Sequence, residues 1–262
     1  MKALLEFKGK IFYDEDLITC LDNCGLKQGD TVCVHSELFG FGVPLLPRAE
    51  FLSAILQCFW QVLGESGTLL MPTFTYSFCK NLAFDKANSK STMGVLSEFF
   101  RKQNGVFRTN EPIFSFGVAG FKQEAFSKDY ASCFGKGCVY DILTKEDGKI
   151  MLFGTQDLGY TFTHFVEEEA KVSYRYYKDF SGLLINEKGE KFTKSIRYFV
   201  RNLNKNSVLS IAKQRNLLKS TNNFVTVNFA GKIIVLIKAK EYKNEFLRVF
   251  EKDENALLEN SK

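Results

Sequence analysis

Histidine is nearly missing from this chain: 262 residues carry two, His35 and His164, beside one tryptophan and four prolines. So few imidazoles leave little material for a metal centre, and neither histidine stands in an H-E-x-x-H pattern. The phosphate-binding loop G-x-x-x-x-G-K-[ST] is missing too. No G-x-S-x-G elbow surrounds Ser115, which argues against hydrolase chemistry there. No apolar run approaches the ~20 residues that a membrane span requires. The opening stretch, MKALLEFKGKIFYDEDL, has no long apolar region and no small-residue cleavage site. The expected location is therefore the cytoplasm, without membrane insertion. The net charge of +5 is mild, and no dense basic stripe calls for nucleic acid. Seven cysteines, an odd number mostly in apolar surroundings, read as reduced core residues rather than disulfides or a zinc site.

Hydrophobic residues supply 45% of the chain and charged residues 25%, the balance of a globular protein with a sizeable core. Leu17, Ile18, Leu21 and Cys24 recur at helical spacing. Residues 48–63 form a stronger amphipathic helix, entered after Pro47 and closed by Gly64. Short apolar runs at 31–35, 68–71, 113–119 and 150–153 read as buried strands between further helices at 94–103, 124–130 and 139–144. After Arg175 the pattern changes to two hairpins, one turning at Glu187-Lys188-Gly189 and one at Ala230-Gly231. They are followed by a helix over 241–250. With no repeat and no linker, the expected architecture is α/β: one domain over 1–262, a mixed central sheet flanked by helices, and the C-terminal hairpins added to that sheet.

The chemistry concentrates in KIMLFGTQDLGYTFTHFVEEEAKVSYR, residues 149–175. A buried strand ends at Gly154, a glycine-bearing loop follows, and His164 stands where the next helix begins, a common place for α/β active sites. Glu167 and Glu168 lie three and four positions on, so one carboxylate can share the histidine's face and orient its ring. The helix start disfavours the imidazolium, which suits a general base. The same glutamates would also stabilise a helix start. His35-Ser36, at the end of the run TVCVH, reads either as a polar strand end or as a loop facing a phosphate or carbonyl. Gly40 and Gly42 do not complete a dinucleotide fingerprint. Ser115 reads equally well as a buried hydroxyl bonded to backbone and as a ligand contact.

Five blocks in order, GDTVCVHSEL, GTLLMPTFTY, MGVLSEFFRKQNGVFRTNEPIFSFGVAG, FGKGCVYDIL and GKIMLFGTQDLGYTFTHFVEEEAKVSYR, resemble the aminoglycoside 3-N-acetyltransferase family. These are antibiotic-type N-acetyltransferases distinct from the GNAT superfamily. The resemblance is clearest over 16–175 and weaker through the hairpins at 176–250. It implies acetyl transfer from acetyl-CoA, as co-substrate and without a metal, to a primary amine of an amino sugar. His164 and Glu167 match the family's T-x-x-H-x-x-E motif, with Thr161 at its head, as catalytic residues. His35, Ser36, Thr73 and Ser115 match positions beside coenzyme A and its thioester. Thr75, Tyr76 and Arg175 are the expected acceptor contacts.

The chain departs from that family in two places. Glu111 stands where the family's R-S-x-H-P segment carries histidine. The stretch 198–202 lacks an acidic cluster that many members carry. With Arg175, Arg197 and Arg201 nearby, the charge balance favours a neutral or anionic acceptor, such as a nucleotide-linked amino sugar for a surface glycan. An aminoglycoside antibiotic is the alternative acceptor, and a non-catalytic CoA- or sugar-binding protein on the same scaffold is the alternative class. The expected partner is a small-molecule amine, and an oligomer is allowed.

Overall fold

The computed structural model describes residues 1–260. Its centre is a seven-stranded sheet in the order Val225–Phe229, Lys232–Lys238, Lys149–Phe153, Thr31–Ser36, Thr68–Pro72, Phe116–Gly120, Phe107–Arg108. The three middle strands are parallel and the outer pairings antiparallel, so the sheet is mixed. Thr31 to His35 are all buried, because helices cover both faces and alternate side chains enter different layers. Cys33, Leu70, Ile150 and Leu152 face one core, while Val32, Val34, Leu69 and Met151 face the other. The helix Arg48–Leu63 has the expected bounds. It buries Phe51, Leu52, Ile55, Cys58 and Phe59, and ends at Gly64 with φ +63°. The opposite face is covered by Val139–Lys145, Phe162–Ala170 and Ala239–Lys252, carrying Val139, Leu143, Phe162, Phe165 and Phe246 into the core. Among the described residues no helix is long and apolar enough to cross a membrane.

The two C-terminal hairpins part company. The second, turning through Ala230 and Gly231, both at positive φ, joins the main sheet as expected. The first, Arg175–Ile185 with Lys191–Arg201, does not: it builds a separate sheet with Phe84–Asp85. Its eleven-residue strands are exposed along most of their length, and only a few side chains, among them Leu184, Ile196 and Phe199, reach the core. It therefore stands over the aromatic side of the core instead of extending the sheet. A third small sheet, formed by Ala3–Phe7, Lys10–Tyr13 and Val43–Pro44, was not anticipated. The expected helix at 124–130 is a single 3₁₀ turn, Gln123–Phe126.

Gly154 follows the strand Lys149–Phe153, against the residues that leave the neighbouring strand Thr31–Ser36. Its φ is +93°, and a β-carbon there would fall 2.1 Å from the Glu37 carbonyl oxygen and 2.3 Å from the Phe41 ring. Gly154→Ala is expected to lower stability by about 2–3 kcal/mol, because backbone strain and a clash against main chain coincide. Chemical denaturation measures this, and an unchanged midpoint would refute it.

Candidate active site

The strands Lys149–Phe153 and Thr68–Pro72 run parallel to Thr31–Ser36 on its two sides. The helices that follow Thr31–Ser36 and Lys149–Phe153, Arg48–Leu63 and Phe162–Ala170, pack on opposite faces of the sheet, and a crevice opens at the carboxyl ends of these strands. A cleft of about 340 Å³ occupies it, lined by His35, Ser36, Pro72, Met93, Gly94, Gly159 and Thr161 among others. His35 is buried, and desolvation holds its pKa down to about 4, so the ring is neutral at pH 7. Its Nε2 lies 3.3 Å from the Tyr140 hydroxyl. Its Nδ1 and the Ser36 hydroxyl are buried with no protein partner. Gly159 permits this packing, since a β-carbon there would meet His35 Cβ at 2.8 Å.

Thr161, on the cleft wall, leads into the helix Phe162–Ala170 that carries His164. The helix is pinned from behind by Thr163, whose hydroxyl meets Tyr242 at 2.7 Å and Gln214 at 2.5 Å. His164 Nδ1 lies 2.7 Å from Glu167 Oε2, with the histidine side chain 26% exposed and the glutamate fully buried. Arg175 completes the group. Its Nε sits 2.8 Å from the same carboxylate oxygen, its Nη2 2.9 Å from His164 Nδ1, and its Nη1 donates to the Phe199 carbonyl. The carboxylate only accepts and the guanidinium only donates, so the two meet Nδ1 with opposite demands; a proton on Nδ1 serves the shorter contact, to Glu167, and is the form that leaves the Nε2 lone pair free. Burial first, and then the Arg175 charge, pull the His164 pKa below its ordinary value, against the opposing hydrogen bond to Glu167. Burial pushes the Glu167 carboxyl up, but the hydrogen bond from His164 and the Arg175 charge outweigh it, and its pKa ends below the usual range. The outcome is a neutral imidazole backed by a carboxylate, the arrangement of a general base. Glu168 turns away beneath the Ser132–Gly135 loop, where a β-carbon on Gly135 would lie 2.9 Å from its Oε1.

Aromatic rings join the cleft to His164. Tyr140 stacks on Phe134 at 6.2 Å, and Phe134 meets the His164 ring edge-on at 5.6 Å. The remaining expected residues fall elsewhere. Thr73 and Ser115 are fully buried and sit together, 3.0 Å apart, around the Arg108 guanidinium. Arg108 also donates to the carbonyls of Thr73, Lys86 and Ser89. The structure does not bring Thr73 or Ser115 to the cleft wall. Thr75 is likewise occupied, bonding the Pro112 carbonyl at 3.0 Å and accepting from Ser77. Tyr76 is half-buried at φ +56°, with its ring 5.4 Å from Phe114. Arg175, expected against the acceptor, is instead buried in its ion pair with Glu167. Arg197 is bound to Asp179 at 2.8 Å. Neither is a free cation, so two of the three arginines behind the expectation of an anionic acceptor are already neutralised; the third, Arg201, donates to the Ser207 hydroxyl at 3.3 Å and forms no ion pair among the described residues. Phe134 and Tyr140 were missed as site residues. The FGKG turn that carries Phe134 was visible in the sequence, but the rings' placement depends on tertiary packing.

The fold and this site define an α/β enzyme with a carboxylate-backed histidine, His164, on the helix that follows the cleft residue Thr161. A family profile described as aminoglycoside 3-N-acetyltransferase matches residues 33–251, and the chain belongs to that family of N-acetyltransferases. The match runs past both hairpins into the last helix, beyond the stretch where the resemblance is clearest by eye. Solved structures agree on the fold. The apoenzyme of aminoglycoside acetyltransferase AAC(3)-IVa superposes with a TM-score of 0.76 at 21% identity, over 95% of this chain and 92% of the other. AAC(3)-Xa gives 0.80 at 19% identity, over 94% of each chain. AAC-IIIb in its binary complex with CoASH gives 0.79 at 21% identity, over 92% of this chain and 97% of the other. No curated protein sequence matches the chain.

Proposed function

We propose that the protein transfers an acetyl group from acetyl-CoA to a primary amine of an aminoglycoside-type amino sugar, with His164 as the base. The observation that carries this reading is the His164–Glu167–Arg175 group: a neutral imidazole held at Nδ1 against a buried carboxylate, on a partly exposed side chain. The cleft at His35 fits a co-substrate of this kind. Two buried polar atoms there, His35 Nδ1 and Ser36 Oγ, lack protein partners, and Gly94 and Gly159 on its walls permit close approach. Bound acetyl-CoA supplies a thioester whose carbonyl an amine can attack, forming a C–N bond as the C–S bond breaks. His164 Nε2 takes the proton that the amine loses, and Glu167 stabilises the imidazolium that results. Thr73 and Ser115, tied to Arg108, act in this reading by holding the loop after Pro72 in place. Arg175 and Arg197, two of the three arginines that favoured a nucleotide-linked anionic acceptor, are neutralised by carboxylates, and the family match supports an aminoglycoside-type amino sugar instead.

The test is thiol release from acetyl-CoA across a panel of amines that includes aminoglycosides, simple amino sugars and nucleotide-linked amino sugars. The expected result is thiol release with an aminoglycoside-type acceptor, and mass spectrometry should show one added acetyl on an amine nitrogen. Binding of coenzyme A without release for any acceptor would overturn the reading in favour of a non-catalytic binder.

A further inference from the structure

Behind the aromatic wall of His164 lies a carboxylate that the mechanism does not use. Glu111 follows the short strand Phe107–Arg108 and is 1% exposed. Among the described residues it forms no ion pair. The cation that bears on it, Lys194, is bound to Asp129 at 3.0 Å. Its contacts are hydrogen bonds from two separate segments. The Ile113 N–H donates to Oε1 at 2.9 Å and the Phe114 N–H donates to Oε2. The Cys133 thiol lies 3.5 Å from Oε1. One segment carries the ring that meets His164, and the other carries a ring packed against it. Phe114 packs on Phe134 at 4.7 Å, and Phe134, next to Cys133 in the chain, meets His164. Both rings also touch Tyr198. The Ile113 carbonyl accepts from the N–H groups of Thr75 and Tyr76, so the same turn places Tyr76.

We propose that ionised Glu111 is a positioning residue: its carboxylate ties Phe114 to Cys133–Phe134 and thereby holds the wall that fixes the His164 ring. This rests on the reading of His164 as the base. Every group that Glu111 contacts is a donor, so a carboxylate satisfies all of them, whereas a protonated carboxyl adds a hydrogen with no acceptor facing it. Burial lifts the Glu111 pKa to about 7, against the hydrogen bonds from Ile113, Phe114 and Cys133. The titratable groups around it are the Tyr130 and Cys133 side chains from one segment and Tyr76 and Cys79 from another. Burial chiefly raises all four, and Glu111 raises them further, so they are uncharged at neutral pH. The wall is therefore tied above about pH 7 and released below it.

The sign of the linkage separates this role from a merely structural one. A carboxyl whose folded pKa is raised contributes stability below its unfolded pKa, and that contribution is lost as pH rises through the folded value. The Glu111 contribution to stability thus falls across the window in which turnover is expected to rise. The experiment follows His164 by imidazole NMR and Glu111 by its labelled carboxyl carbon from pH 5 to 9, beside thiol-release kinetics for wild type and Glu111→Gln. In wild type, the His164 signals should shift in step with the Glu111 titration near pH 7, and kcat/KM should show an acid limb there. In Glu111→Gln that step should vanish, with turnover at pH 8 down by up to about a hundredfold. His164 signals indifferent to the Glu111 titration would overturn the proposal, as would an unchanged limb in the variant. The NMR titration needs neither the variant nor an active acceptor. If thiol release fails for every amine, that sinks the acetyltransferase reading, while the wild-type titration still decides the tie between Glu111 and His164.

Discussion

His164→Ala should lower acetyl turnover by about 10²–10⁴-fold, the range that a positioned general base contributes, while leaving the fold intact. The side chain is the one member of its group that keeps substantial exposure, at 26%, so its removal opens little core. It does leave Glu167 and Arg175 paired with each other at 2.8 Å, so no uncompensated buried charge remains. The loss should fall on kcat more than on KM, since the imidazole takes a proton only as the C–N bond forms. Thiol-release kinetics on the variant, with circular dichroism and a thermal melt as controls, measure this. Turnover within threefold of wild type would remove His164 from the mechanism.

Much of the scaffold under that site can be read from the sequence. The helix Arg48–Leu63 announces itself by apolar spacing between Pro47 and Gly64, and the strands Thr68–Pro72 and Lys149–Phe153 by short apolar runs ended by proline or glycine. These signals are local, and the structure keeps them. The N-terminal hairpin escaped notice because Ala3–Phe7 and Lys10–Tyr13 are only partly buried, and its turn is the pair Lys8-Gly9, both at positive φ. The displaced hairpin was misplaced for a related reason. Turn chemistry says that two strands pair with each other, not which third strand they meet.

The site divides along the same line. His164 and Glu167 lie three apart on one helix, so their contact is a matter of pitch. Arg175 lies farther along the chain, eight residues after Glu167 and beyond the helix end, where Lys171 adopts φ +54°, so no helical pitch predicts its place. Read as a free cation, it suggested an anionic acceptor; folded, it is the counter-ion of Glu167. The hydroxyl facing His35 comes from Tyr140, 105 residues away, and no spacing rule reaches that far.

The largest effect on stability should come from Arg175→Met. The arginine and Glu167 side chains are 1% and 0% exposed, and removing one partner of a buried pair typically costs about 3–5 kcal/mol, because the other charge is left uncompensated. Methionine matches the stem of the arginine, so the loss reports the charge and its hydrogen bonds more than a cavity. The variant also has a definite expected effect on His164. Arg175 helps to lower the pKa of His164 and that of Glu167, so both should rise without it. The sign in wild type follows from those directions. A histidine and a carboxyl whose folded pKa values are depressed both contribute stability above their unfolded values, and both contributions are lost as pH falls through the folded ones. In Arg175→Met the imidazole titration should therefore move to higher pH, and acid unfolding should begin earlier, as read by NMR and by denaturant melts from pH 4 to 8. A His164 titration that stays in place would show that the guanidinium at 2.9 Å from Nδ1 does not set the proton affinity of the base.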